Sequence, residues 1–83
     1  MIERAIKIDS AFEVSSAAHL VQAASRFKSH IHLIMEEKTA NAKSIMGLIS
    51  LELSGGSIIK IVVEGEDEQH VIPELESILL SRR

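Results

Sequence analysis

Hydrophobic and polar residues alternate at the start of the chain. Ile2, Ile6 and Ile8 share the even positions, with charged residues and one alanine between them. Successive side chains of a strand point to opposite faces, so this spacing predicts a first strand over residues 2–8 with one buried face. Residues 9–14 break the alternation and are predicted to form a loop.

A helix is predicted after that loop, because apolar residues recur three and four positions apart and fall on one stripe. The stripe consists of Ala17, Leu20, Val21, Ala24 and Phe27. Ser15 or Ser16 is the expected N-cap, since a serine hydroxyl can accept a hydrogen bond from a free amide of the first turn. The many alanines let this helix lie close to the surface that it covers, which we expect to be a sheet.

A hairpin is predicted in the next segment. Ile31, Leu33 and Met35 alternate with the residues between them and indicate a second strand. Residues 36–38, Glu-Glu-Lys, form a polar turn, and residues 39–42 form a short third strand.

The central segment, residues 41–51, is predicted to run from the third strand into a short helix. The helix extends from Ser44, its expected N-cap, to about Leu53. Leu48 and Leu51 are expected to face the core. Because consecutive helical positions point about 100° apart, the other apolar side chains are expected to face solvent. These side chains are Ile45, Met46 and Ile49. The residues alone leave two interpretations of Ser44. Either it serves solely as the helix cap, or it forms, together with these apolar side chains, a docking site that can be switched.

The second half of the chain predicts one more strand and one more helix. Residues 54–57, Ser-Gly-Gly-Ser, form a break. The β-branched run at residues 58–63 predicts a strand that is buried on both faces near its centre, and Gly65 ends it.

The last helix is predicted from its acidic start and its apolar stripe. Asp67 is the expected N-cap, Glu66 and Glu68 suit the positive N-terminal end, and the arginines at 82–83 suit the C-terminal end. Pro73 leaves two possible starts: a helix from Glu68 places proline in the second turn and bends the axis, whereas a helix from Pro73 places it at the favoured first position. The apolar stripe consists of Val71, Leu75, Ile78 and Leu79.

Composition narrows the class of protein. The chain has 83 residues, which predicts a single domain over residues 1–83, and it has no cysteine for disulfides or metal sites. Two aromatic residues and a net charge of −3 argue against nucleic-acid binding. No apolar run reaches the roughly 18 residues that span a bilayer, and no signal segment is found. We therefore expect a cytoplasmic protein without direct membrane or nucleic-acid contacts.

The predicted element order is β-α-β-β-α-β-α. Four strands in one layer with helices packed on one side make an α+β fold, a two-layer open-faced sandwich.

Three segments carry a family resemblance. Residues 41–48, Asn-Ala-Lys-Ser-Ile-Met-Gly-Leu, resemble the regulatory-serine motif of HPr, the histidine-containing phosphocarrier of the bacterial phosphoenolpyruvate:sugar phosphotransferase system. Residues 20–25 resemble the body of that family's first helix, and residues 64–68 resemble the turn before its last helix. The resemblance implies an HPr-like fold with a four-stranded antiparallel sheet covered by helices on one face. The serine motif is similar to HPr of Gram-positive bacteria and to its regulatory paralogue Crh, the catabolite-repression HPr.

The chain departs from the family at the phosphorylated histidine. HPr carries the phosphoryl group in a His-Ala-Arg-Pro segment just before the first helix, whereas this chain has Glu-Val-Ser-Ser at residues 13–16. Glu13 occupies the acceptor position and Ser15 the arginine position. A carboxylate lacks the imidazole chemistry and the neighbouring arginine that would steady the transferring group. The resemblance therefore implies no catalytic residue, and Crh lacks this histidine as well.

Glu13 itself has two interpretations. A carboxylate just before a helix N-terminus imitates the charge of a phosphorylated histidine, because that end of a helix favours negative charge. Alternatively, Glu13 is a solvated loop residue that replaced the histidine.

The four histidines indicate no enzymatic site. His19 is expected in the first turn of the first helix, with no arginine close in sequence. His30 and His32 can share one strand face, but no third metal ligand is found, so no metal or cofactor is expected. His70 is expected to be an exposed helix residue. The sequence contains no Ser-His-Asp arrangement and no glycine-rich phosphate loop, so we predict that the protein is not an enzyme.

The resemblance implies a regulatory protein of carbon catabolite repression. In the family, the bifunctional HPr kinase/phosphorylase modifies the motif serine, and the phosphoserine form binds catabolite control protein A as a corepressor. Ser44 is then the phosphorylation site, and enzyme I or other phosphotransferase-system proteins are further partners. The implied partner surface consists of Lys43, Ile45, Met46 and Ile49. Two alternatives stay open: a phosphocarrier with an unorthodox acceptor, or a degenerate HPr-fold binding module that has lost both phosphorylations.

Overall fold

The computed structural model of the chain describes residues 1–8, 14–53 and 56–80. The described part forms four strands and three helices in the predicted order. The elements are β1 (Ile2–Lys7), α1 (Val14–Ser25), β2 (His30–Met35), β3 (Lys38–Asn41), α2 (Ile45–Ser50), β4 (Ile58–Glu64) and α3 (Glu68–Leu79).

The four strands form one sheet in the order β1-β4-β2-β3, and every neighbouring pair is antiparallel. The register places Ile61 opposite Leu33, and Leu33 opposite Ala40. The predicted hairpin is confirmed, since Met35 pairs with Lys38 across a two-residue turn.

One face of the sheet is buried, and the helices cover it. α3 packs on β1 and β4, α2 packs on β3, and α1 packs on both other helices. Three alanines of α1 are fully buried, which allows the close packing that the sequence predicts. The buried strand residues are Ile6, Ile31, Leu33, Ala40, Ile59, Ile61 and Val63. This is the predicted two-layer α+β sandwich.

The opposite face of the sheet has no helix packed on it among the described residues, and this corrects one prediction. β4 was expected to be buried on both faces near its centre, but its burial alternates along the strand. Lys60 is exposed, Val62 is half-buried, and Ile58 is exposed at the strand start. The β-branched run therefore reflects strand propensity as much as burial.

Two helix boundaries differ from the predictions. α1 begins at Val14, so Ser15 and Ser16 lie inside its first turn and neither is its N-cap. α2 ends at Ser50 and not near Leu53. Its last turn is tightened by i→i−3 hydrogen bonds, and Glu52 then has a positive φ of 54°, which ends the helix.

The start of α3 settles the position of Pro73 and confirms Asp67 as the N-cap residue. α3 begins at Glu68, so Pro73 lies inside the helix and provides no amide for the carbonyl four residues earlier. Asp67 precedes the helix but makes no side-chain capping bond to it. The Glu68 carboxylate instead accepts from the Gly65 amide at 3.1 Å, and it pairs with the Met1 ammonium at 3.2 Å.

Candidate functional site

Ser44 caps α2, as predicted. Its backbone is extended, with φ −117° and ψ 113°, and its Oγ accepts from the Gly47 amide at 3.1 Å. The Ser44 carbonyl accepts the first intrahelical bond, from the Leu48 amide at 3.0 Å. Because Oγ accepts from an amide, the hydroxyl proton of this half-buried serine is left to donate elsewhere.

The segment before Ser44 is held by its own hydrogen bonds. The Asn41 side-chain oxygen accepts from the Lys43 amide at 2.8 Å, and the Asn41 carbonyl accepts from the Ser44 amide at 2.9 Å. Ala42 is buried, and its amide donates to the Ile31 carbonyl at 2.9 Å. Asparagine favours such local turns. The asparagine was therefore a sequence signal for a turn before Ser44, whereas Asn41 was predicted only as part of the third strand.

An apolar surface lies on the solvent side of α2, and we call it the α2 patch. Ile45 is 36% exposed, Met46 is 74% exposed and Ile49 is 42% exposed, whereas Leu48 and Leu51 are buried. The predictions of which side chains around α2 face the core and which face solvent are therefore confirmed. The α2 patch follows Ser44 directly in the chain, so one approaching surface can contact both.

Gly47 sits between the cap and the sheet. A Cβ at this position would lie 3.4 Å from Ala40 Cβ and 3.4 Å from Ser44 Oγ. These distances are close to ordinary van der Waals contact, so a methyl group at this position would touch both residues without a severe clash.

Lys43 makes a hydrogen bond within the protein. Its half-buried side chain reaches past the end of α1, where Nζ donates to the Phe27 carbonyl at 2.8 Å. Sequence reasoning did not foresee this contact, because the two residues are 16 positions apart in the chain. The role of Lys43 in a partner surface stays a prediction.

The position of the missing histidine falls partly outside the described residues. Glu13 lies in the interval 9–13, so neither interpretation of its carboxylate is tested. Ser15, at the arginine position, is exposed in the first turn of α1.

The four histidines lie on three different elements, α1, β2 and α3. His19 is the sixth residue of α1 and therefore lies in the second turn, one turn later than predicted. His30 and His32 share the uncovered face of β2, and His70 is exposed, as expected. Within residues 1–8, 14–53 and 56–80, no three His, Cys, Asp or Glu side chains are placed to hold a metal ion. The three helices described are too short to cross a bilayer.

Comparison with known proteins gives one consistent match. The chain matches the family model described as the PTS HPr component phosphorylation site over residues 3–81. It is 42% identical over 77 residues to the HPr-like protein Crh of Halalkalibacterium halodurans, which covers 90% of this chain and 92% of that protein. It is 40% identical over 70 residues to the HPr-like protein Crh of Bacillus subtilis, which covers 84% and 82% of the two chains.

The structural match is equally extensive. The crystal structure of HPr-C-His from Thermoanaerobacter tengcongensis has a TM-score of 0.90 and 40% sequence identity, and it covers 95% of this chain and 91% of that one. Sequence and fold therefore match over nearly the same length of chain.

Proposed function

We propose that this chain, which belongs to the HPr family of the bacterial phosphoenolpyruvate:sugar phosphotransferase system, is a regulatory member of that family. It is proposed to act in carbon catabolite repression through phosphorylation of Ser44. The observation that carries the proposal is the Ser44 hydroxyl at the start of α2, directly before the exposed α2 patch. The names of two relatives, HPr-like protein Crh, support the regulatory branch over the carrier branch.

The proposed modification is transfer of the γ-phosphoryl group of ATP to Ser44 Oγ by HPr kinase/phosphorylase. The bond from the γ-phosphorus to the bridging oxygen of ATP breaks, the bond to Oγ forms, and the hydroxyl proton passes to a base of the kinase. The product carries nearly two negative charges at a position where the Gly47 amide already points. The first turn of α2 contains no acidic residue that would repel the phosphate.

The proposed partner of the phosphorylated protein is catabolite control protein A. The phosphate supplies charge and the α2 patch supplies apolar area, so the partner can require both before it binds. Apolar side chains of this size anchor interfaces when they become fully desolvated. Ile45, Met46 and Ile49 are the proposed anchors, and the protein is proposed to act in the cytoplasm, where both partners would meet it.

A phosphohistidine-type carrier role is not proposed, because Glu13 and Ser15 replace the two residues that it needs. Enzyme I and other phosphotransferase-system proteins are secondary candidate partners, because the chain has the fold of the HPr family. The protein is proposed to be a substrate of its kinase and not an enzyme.

The test is intact-mass measurement after two separate incubations. With HPr kinase and ATP, we expect one added phosphate, which Ser44→Ala abolishes and Ser50→Ala does not. Ser50 is a matched control, since it is an exposed serine of the same helix. With enzyme I and phosphoenolpyruvate, we expect no added phosphate.

The other outcomes select the alternatives. Label from enzyme I would indicate an unorthodox phosphocarrier. If neither enzyme adds mass and catabolite control protein A does not bind, the protein is a degenerate HPr-fold binding module.

A further inference from the structure

Lys43 places an ammonium group at the C-terminal end of α1. The last turn of α1 contains no basic residue, although carbonyls at this end of a helix favour positive charge. Phe27 extends that end by one tightened turn, since its amide donates to the Ala24 carbonyl at 3.1 Å. The Lys43 ammonium donates to the carbonyl of Phe27 itself, at 2.8 Å.

The acceptor of this bond belongs to a turn that is itself anchored. The two residues after Phe27, Lys28 and Ser29, donate their backbone amides to the Asp67 carboxylate at 2.8 and 3.0 Å. Ser29 is fully buried. Lys43 is therefore bound to a fixed point of the fold and not to a free loop.

The other hydrogen bonds of residues 41–44 do not reach α1. The Asn41 bonds to the Lys43 and Ser44 amides are local to the turn, and the Ala42 amide bonds to β2. The Lys43 side chain adds an attachment to α1, immediately before Ser44. Besides this bond, Lys43 is held by the bond of its amide to the Asn41 side chain, which is local to the turn.

We propose that Lys43 is a positioning residue for Ser44: its bond to the Phe27 carbonyl holds the serine in the capping geometry in which its hydroxyl is phosphorylated. The consequence for phosphorylation rests on the function proposed above, whereas the consequence for the geometry does not. One of the three N–H donors of the Lys43 ammonium is committed to the Phe27 carbonyl, and the side chain is half-buried. The lysine therefore has a contact within the protein whether or not its remaining donors meet a partner.

The first test measures amide hydrogen exchange in the unmodified protein and needs no kinase. Lys43→Met keeps the aliphatic stem and removes the donor, and Lys43→Arg restores a donor. We expect the Gly47 amide, which donates to Ser44 Oγ, to exchange about three- to tenfold faster in Lys43→Met, the size of effect that one lost hydrogen bond produces. Lys43→Arg should restore most of the protection. Lys38→Met, at an exposed lysine of β3, is the control and should change nothing at Gly47.

The second test measures the kinetics of phosphorylation by HPr kinase. Positioning predicts that Lys43→Met lowers kcat several-fold with little change in KM, and that Lys43→Arg recovers it. Unchanged Gly47 exchange, or a rise in KM alone, would overturn the proposal and make Lys43 a surface contact. If the wild-type protein is not phosphorylated at all, the proposed function fails, and the exchange measurement still decides whether Lys43 positions Ser44.

Discussion

The carboxylate of Asp67 is bound to Ser29, which lies 38 residues earlier in the chain. It accepts hydrogen bonds from the Ser29 hydroxyl, the Ser29 amide and the Lys28 amide. These bonds lower the pKa of Asp67 below its ordinary value, with the Ser29 hydroxyl as the largest cause. They join the turn between α1 and β2 to the start of α3.

Acid should weaken this connection. A carboxyl group whose pKa is lower in the folded state stabilises the fold above its unfolded pKa, and the contribution is lost as pH falls through the folded pKa. The pKa of Glu68 is lowered as well. The largest cause is the hydrogen bond from the Gly65 amide, and the bond from the Met1 ammonium is the next. We expect thermal stability to change little from neutral pH down to about pH 5 and to fall below about pH 4, where aspartate and glutamate titrate.

A substitution separates the contribution of Asp67 from that of Glu68. Asp67→Asn should lower Tm at neutral pH and flatten part of the acid dependence, while Glu66→Gln, at an exposed neighbour, should leave both almost unchanged. Thermal unfolding followed by circular dichroism between pH 3 and pH 7 measures this. An unaltered acid slope in Asp67→Asn would show that the carboxylate does not stabilise the turn.

Gly65 should tolerate no side chain. Its φ is +155°, and a Cβ would lie 2.6 Å from the Ser29 Cα, a backbone atom that cannot move aside. Gly65→Ala is expected to destabilise the protein by about 3 kcal/mol. Gly56 is the matched control, because its φ is +93° but nothing lies within 4 Å of its Cβ position.

Gly56→Ala should therefore show only the backbone cost, about 1 kcal/mol. Urea denaturation of both variants gives the difference. Equal losses would mean that the close approach of Gly65 to Ser29 has no energetic weight.

A glycine should stabilise the β2–β3 hairpin. Glu36 has a φ of 58°, in the left-handed region, and Glu37 is not among the residues with positive φ. A non-glycine residue in this region bears about 1–2 kcal/mol of steric strain that glycine does not. The gain is partly offset by the greater entropy of glycine in the unfolded chain. Glu36→Gly should thus gain about 0.5–1 kcal/mol. Glu37→Gly should gain nothing or lose stability, and the reverse order in denaturant midpoints would contradict the assignment.

The capping bond of Ser44 should be measurable apart from phosphorylation. Ser44→Ala removes the acceptor for the Gly47 amide and is expected to cost about 1 kcal/mol. Ser44→Asp keeps an acceptor and a favourable charge, so its unfolding free energy should stay near that of the wild type. Both lose the phosphorylatable hydroxyl. If Ser44→Ala were as stable as the wild type, the hydroxyl would not stabilise α2 as a cap.

Two predictions for α2 that depend on neighbours within a turn were confirmed, whereas the expected cap of α1 at Ser15 or Ser16 was wrong. The cap by Ser44 involves an amide three residues later, and the exposure of Met46 and Ile49 follows from helical periodicity around the buried Leu48. Element order and the hairpin also followed, because strand alternation and turn residues are local signals.

Predictions failed where a distant contact or a missing layer intervened. Asp67 is the N-cap residue of α3, but its carboxylate binds the amides of Lys28 and Ser29 and not its own helix. β4 was expected to be covered twice, yet the described helices pack on one side of the sheet. Neither the partner of a carboxylate nor the number of covered faces is encoded in local spacing.

The sequence by itself determined the element order, the cap at Ser44 and the apolar side chains of α2, since each depends on residues within one turn or strand. Only the tertiary structure decided where the charged side chains around them bind. Lys43 meets the Phe27 carbonyl 16 residues away, and Asp67 meets Ser29 38 residues away. Such pairs form because packing brings separate elements together, and their distance in the chain leaves no periodic signal.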